Sequence, residues 1–171
     1  MSTLIVGSPP PELEALLERR RLAGADRHDE VWEGVLYMNP PPSHEHERLS
    51  SVLHRLLGPC ADAADLEITG GIALGDQHDY RAPDLALHRP GAAAQWHPTA
   101  ALVTEILSPG DETWTKLSFY AEHYVDEVLI LDLAKRTITW LALTEGEYHH
   151  VERSDLIGLG STALAEQLDW P

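Results

Sequence analysis

Cysteine is almost missing from this sequence: Cys60 is alone among 171 residues, which excludes an internal disulfide and any cysteine-based zinc frame. Long apolar runs are missing too. No segment approaches the roughly 18 consecutive apolar residues of a membrane span. The opening stretch MSTLIVGSPPPELEALLERR has no basic lead and a single three-residue apolar run, so the expectation is a cytoplasmic protein, neither exported nor inserted. Positive charge is scarce: 12 Lys and Arg stand against 28 Asp and Glu, for a formal charge of −16. Such a surface repels a phosphate backbone at long range and counts against a high-affinity DNA-binding protein. It leaves room for an enzyme whose metal ions and a few local arginines put positive charge at one scissile phosphate. Internal repeats, low-complexity segments and a second domain boundary are also absent. With 43% of it apolar, the chain is expected to form one domain over 1–171 with a real core.

The patterns that are present alternate helix and strand. Ser8 and the prolines at 9–11 lead into a helix with Leu13, Leu16 and Leu17 on one face and Gly24 past its end. Its Arg19, Arg20 and Arg21 suit the helix dipole, or one or two of them touch phosphates. Residues 30–39 read as a hairpin turning at Glu33-Gly34. Ser43 caps a second helix whose Leu49, Val52, Leu53, Leu56 and Leu57 keep the helical period, with Gly58-Pro59 as its stop. A strand over 66–74 is expected to bulge at Gly70-Gly71, and the polar stretch 75–80 to turn into an apolar strand after Asp84. Residues 89–98 read as loop, with Trp96 a packing anchor. A buried strand over 100–107 stops at Ser108-Pro109-Gly110. A third helix over 113–124 presents Thr113, Lys116, Leu117, Tyr120 and Tyr124 inward. Strands follow over 127–133, 136–143 and 148–151, the last two joined through Glu145-Gly146. The tail from 154 is ambiguous between strand and helix.

Three residues break these patterns in a way that carries chemistry. Asp84 opens the run Leu85-Ala86-Leu87, Glu105 interrupts an otherwise apolar strand, and Lys116 lies on the inward stripe of the third helix. Two acids on neighbouring strands, with the backbone carbonyl of Ile106, could supply the oxygen shell that Mg²⁺ or Mn²⁺ prefers. Lys116 would then orient a water or meet the charge growing on phosphate oxygens. The same pattern also fits a buried Glu105–Lys116 salt bridge with Asp84 capping a turn. His46 continues the buried stripe of the second helix, either as a half-buried histidine or as a polar group offered to the site. His44 and His46 do not form a chelating pair, since positions two apart on a helix diverge.

Residues 28–133 resemble the Uma-type family of restriction-endonuclease-like proteins, a widespread bacterial group. The matching text is EVWEGVLYMNPPPSHEHERL, then YRAPDLAL, then VTEILSPGDETWTKLSFYAEHYVDEVLILD. The resemblance implies an α/β, restriction endonuclease-like fold, with a central mixed β-sheet flanked by helices and an N-terminal helix and hairpin. It also implies a PD-(D/E)-x-K type of metal site, with Asp84 and Glu105 as the acids. The lysine of that signature falls on Leu107 here, and its role passes to Lys116 on the next helix. Glu30, His46, Ser108 and Tyr120 match further polar positions of the pattern. The implied activity is Mg²⁺- or Mn²⁺-dependent hydrolysis of nucleic acid, DNA or RNA, with a homodimer as the simplest way to cut a duplex. The alternative is an inactive nuclease-fold module that serves partner binding or self-association.

Overall fold

The computed structural model describes residues 3–5, 11–91, 95–108 and 112–170. In chain order they form β1 (Thr3–Ile5), α1 (Pro11–Leu22), β2 (Glu30–Trp32), β3 (Val35–Met38), α2 (His44–Ala63), β4 (Glu67–Gly70), β5 (Ala73–Asp76) and β6 (Asp79–Arg81). There follow β7 (Leu85–His88), β8 (Trp96–His97), β9 (Leu102–Leu107), a 3-10 turn (Thr113–Thr115) running into α3 (Lys116–Glu122), β10 (Glu127–Asp132), β11 (Thr137–Thr144), β12 (Glu147–His150) and α4 (Ser161–Ala165). The strands divide into two mixed six-stranded sheets, ordered β1-β3-β2-β6-β5-β8 and β12-β11-β10-β9-β7-β4. The fold is the expected α/β class, with the strands shared between two sheets. The proline lead-in at 8–10 and the strand stop at Pro109-Gly110 lie outside the described residues.

The second sheet sets the layout. β9 and β10 are parallel, with Glu105 opposite Ile130, and parallel neighbours need a crossover, which here is α3. Side chains of β9 alternate between faces. Leu102 and Ile106 join Leu49, Leu53 and Leu57 of α2 in one cluster, while Val103 joins Phe119 and Tyr120 of α3 in the other. Glu105 shares the parity of Val103. The helix that the parallel pairing demands therefore lands on the face where Glu105 points.

Four local expectations fail, each for a physical reason. Gly58-Pro59 does not stop α2, which runs through Pro59 to Ala63. An interior proline costs about 3 kcal/mol, but Leu49, Leu53, Leu57 and Ala61 are all buried, and each leucine contributes roughly 1.5–3 kcal/mol. Gly70-Gly71 is a crossing between sheets and not a bulge: β4 pairs with β7, β5 pairs with β6, and Gly71 has a φ of 63°. The stretch 75–80 is itself a hairpin, closed by Asp76 Oδ1 accepting from His78 N at 2.7 Å and Asp79 N at 3.1 Å, a side-chain turn that mimics a backbone one. Tyr124 leaves the inward stripe and is 78% exposed. α3 closes with Tyr124 N donating to Ala121 O and Val125 N donating to Tyr120 O, the paired bonds of a Schellman cap that turn the C′ residue outward at φ 54°.

The N-terminal helix also differs from its expected burial. None of its residues is fully buried and Leu16 is 38% exposed. What holds α1 is Arg20, which donates to Asp29 at 2.6 Å, to Ala25 O at 2.7 Å and to Asn39 O at 3.2 Å, tying the helix to the flanks of the β2–β3 hairpin. Arg21 pairs with Glu18 on the same helix. The ambiguous tail ends in the short helix α4 and is moored to the second sheet by Glu127, which accepts from Trp140 Nε1 at 2.8 Å and from Asp155 N at 3.1 Å.

Gly75 and Gly71 separate two kinds of glycine requirement. A Cβ on Gly75, at φ 123°, would lie 2.2 Å from Asp79 O and 2.9 Å from Phe119 Cζ; one on Gly71 would meet nothing within 4 Å. Gly71→Ala is expected to cost about 1 kcal/mol, for left-handed backbone alone. Gly75→Ala is expected to cost at least about 3 kcal/mol, because the backbone of the β5–β6 hairpin must move. Urea unfolding midpoints of the two variants check the difference.

Candidate active site

Antiparallel register brings the two acids together. Leu85 of β7 lies opposite Thr104 of β9, so Asp84, one residue earlier, comes opposite Glu105. Directly opposed residues put their side chains on one face with Cβ atoms about 4.5–5.5 Å apart. Backbone bonds continue the pairing beyond the strand: Asp84 N donates to Thr104 O at 3.1 Å, and Ile106 N donates to Asp84 Oδ2 at 2.7 Å. In a strand the N–H and C=O of one residue leave by the same edge. The Ile106 carbonyl thus emerges on the Asp84 side.

α2 reaches the site from the opposite face. Ser43 accepts from His46 N at 3.2 Å and fixes the first turn, which aims His46 at the end of β7. His46 Nε2 lies 2.8 Å from Asp84 Oδ1, and Ser108 Oγ lies 3.5 Å from His46 Nδ1. With the ring proton on Nε2 the histidine donates to Asp84, and Nδ1 is left to accept from Ser108.

Glu105 sits deeper. It is 4% exposed, and Lys116 beside it is 8% exposed. Lys116 Nζ donates to Glu105 Oε1 at 3.1 Å and to Oε2 at 3.3 Å, and lies 2.9 Å from Glu30 Oε1. Tyr120, one helical turn after Lys116, donates its hydroxyl to Glu105 Oε1. Glu30 is held in turn by Trp32 Nε1 at 2.7 Å and Ala82 N at 2.9 Å. Burial raises the proton affinity of Glu105; Lys116 opposes that, Asp84 and Glu30 add to it, and the result is a pKa pushed up to about 8. Burial first, then Glu105 and Glu30, push Tyr120 well above its ordinary range, so the phenol keeps its proton and acts as a donor.

All the residues read from the sequence as site candidates are therefore gathered here: Glu30, His46, Asp84, Glu105, Ile106, Ser108, Lys116 and Tyr120. Sequence reading missed Arg81, Trp32 and Phe119, which brace the cluster from the first sheet and from α3. Among the described residues no group of three or more His, Cys, Asp or Glu side chains is arranged to hold a metal ion. A divalent cation would rely on two carboxylates, a main-chain carbonyl and water, a hard-oxygen set of the kind Mg²⁺ accepts. The electrostatics fit such a cation, because Glu30 and Glu105 share one lysine and Asp84 adds a third carboxyl group that acts on Glu105.

The family description "Uma2: Putative restriction endonuclease" matches residues 11–166. The chain belongs to the Uma2 family. The match extends beyond the 28–133 stretch that carries the resemblance in sequence, and membership supports a nuclease-like function. The Uma2 fold seen here is similar to the crystal structure of a "putative nuclease belonging to DUF820" from Anabaena variabilis ATCC 29413, with a TM-score of 0.63 over 81% of this chain and 90% of that one. At 16% identity the likeness concerns the fold. No curated protein matches the chain.

Glu105 gives the metal-free protein a defined pH dependence. The folded carboxyl holds its proton to about pH 8, whereas the ordinary carboxyl value is 4.5. The folded state thus binds more protons than the unfolded state across that interval, and stability falls as pH rises through it. Urea unfolding across the interval is expected to show this slope in the wild type and to lose it in Glu105→Gln.

Proposed function

We propose that this Uma2-family chain is a Mg²⁺- or Mn²⁺-dependent endonuclease that hydrolyses phosphodiester bonds of nucleic acid. Asp84, Glu105 and the carbonyl of Ile106 hold the metal, and Lys116 assists. The observation that carries this reading is the convergence of Asp84 and Glu105 from opposed strand positions with Lys116 from the crossover helix. Hydrolysis joins a water oxygen to phosphorus, breaks the bond to the leaving oxygen and builds negative charge on the phosphate. A divalent ion, when bound, supplies a Lewis acid and a more acidic water.

The remaining roles fall to the chain. His46 and the Ile106 N–H fix the Asp84 carboxylate, so little reorientation is needed when it becomes a ligand. Glu105 must release its proton to become one, so metal affinity is expected to rise with pH. Tyr120 keeps Glu105 oriented. Glu30 retains Lys116 when Glu105 turns to a cation, which keeps the ammonium beside the growing phosphate charge. Ser108 steadies His46 from the far side of its ring.

We place the protein in the cytoplasm on its single cysteine, as one domain over 1–171; among the described residues no helix is long and apolar enough to cross a membrane. A homodimer is the arrangement that supplies two copies of the site to a duplex. The second reading is an inactive module for partner binding or self-association. It draws on the charge of −16 and on a Glu105 whose two oxygens are both already bonded.

Cleavage of single-stranded and duplex DNA and RNA separates the two. Wild type is expected to cut only with Mg²⁺ or Mn²⁺, and Asp84→Asn, Glu105→Gln and Lys116→Met to lose roughly 100-fold or more. A folded wild type that cuts none of these substrates with either ion would leave the module reading standing.

A further inference from the structure

Arg81 is buried at 6% exposure three residues before Asp84. Its guanidinium lies between two rings, 4.4 Å from the Trp32 centroid and 4.0 Å from that of Phe119. Nη1 donates to Val31 O at 2.8 Å and to Asp79 Oδ1 at 2.7 Å. Among the described residues the buried Nε has no hydrogen-bond partner. Hydrogen bonding alone therefore leaves part of this buried cation unaccounted for, and the two ring contacts supply the rest.

What the rings carry is the point. Trp32 donates to Glu30 Oε2 at 2.7 Å, and Glu30 Oε1 lies 2.9 Å from Lys116 Nζ. Phe119 belongs to α3, between Lys116 and Tyr120. The residue after Arg81 donates its own N–H to Glu30 Oε1 at 2.9 Å. Arg81 thus bears at once on the strand that supplies the carboxylate partner of Lys116 and on the helix that supplies Lys116 itself.

We infer that Arg81 is a positioning residue: by clamping the Trp32–Glu30 arm against α3, it fixes Lys116 between Glu30 and Glu105. The inference deepens the nuclease reading and rests on it for its catalytic consequence, while the positioning itself is testable without activity. A planar plate is needed between the rings, so the compact ammonium of lysine does not replace it. The charge alone is not sufficient.

The chain has two lysines, Lys116 and Lys135, and the Lys135 side chain is 76% exposed, so it serves as an internal reference for amine labelling. Labelling by a small amine reagent, resolved by peptide mass, is compared in wild type, Arg81→Met, Arg81→Lys and Leu57→Ala. The last weakens the core on the opposite face of the second sheet. In both Arg81 variants Lys116 is expected to label about tenfold faster relative to Lys135, reporting easier local opening, and Leu57→Ala to leave the ratio near wild type. Equal ratios in the Arg81 variants and wild type, or an equal rise in Leu57→Ala, would overturn the inference. In the cleavage assay the Arg81 variants are expected to lose kcat with KM unchanged. A wild type that cuts nothing would sink the nuclease reading, and the labelling ratio would still decide the role of Arg81.

Discussion

A lysine and two carboxyl groups are packed together against the apolar face of a sheet, and much of the architecture follows from making that tolerable. Burying an unpaired charge costs several kcal/mol, and even a paired one gains little unless its geometry is good and its remaining hydrogen bonds are met. No single element can meet those demands around Glu105. β9 supplies the acid, α3 supplies Lys116 and Tyr120, and β2 supplies Glu30. The parallel pairing of β9 with β10 forces the crossover that brings α3 to this face, so the sheet topology and the charge cluster are one solution to one problem. Lys116 and Tyr120 oppose the effect of burial without cancelling it, while Glu30 and Asp84 add to it, so the Glu105 pKa is raised above the ordinary carboxyl range. A site in that state has an unmet preference for more positive charge.

The core of the site was legible because each of its members violates a local pattern. A glutamate inside an apolar strand and a lysine on an inward helical stripe are conspicuous in a sequence, and Asp84 is conspicuous as the lead residue of a short apolar run. The stripe of α2 was equally plain. The pairs that close the site were not. His46 and Asp84 stand 38 positions apart, and nothing in the neighbourhood of either announces the other. Arg81 was hidden by the brevity of β6, too short to establish a period.

The misread boundaries have physical causes as well. Pro59, Gly70-Gly71 and Tyr124 all depart from the local tendency of such residues. Three buried leucines before the proline and the buried Ala61 after it carried α2 past Pro59, competition between two sheets divided one expected strand into two, and a Schellman cap turned a tyrosine outward where helical periodicity would have turned it in. Tertiary packing outranked local preference at Pro59 and Gly70-Gly71, and a local cap outranked helical periodicity at Tyr124. The scarcity of positive charge on the whole chain looks different beside this site. Lys116 spends its charge internally, between Glu30 and Glu105, and Arg81 spends its own between two rings and the β2–β6 strands.

The central claim is that Asp84 and Glu105 form a divalent-metal site. Calorimetric titration of Mn²⁺ into the wild type, Asp84→Asn and Glu105→Gln tests it most directly, because it does not depend on knowing the substrate. One bound ion in the wild type, lost in both folded variants, is the expected result. A folded wild type that binds no Mn²⁺, or variants that bind it as the wild type does, would contradict the claim and leave Glu105 and Lys116 as a structural pair.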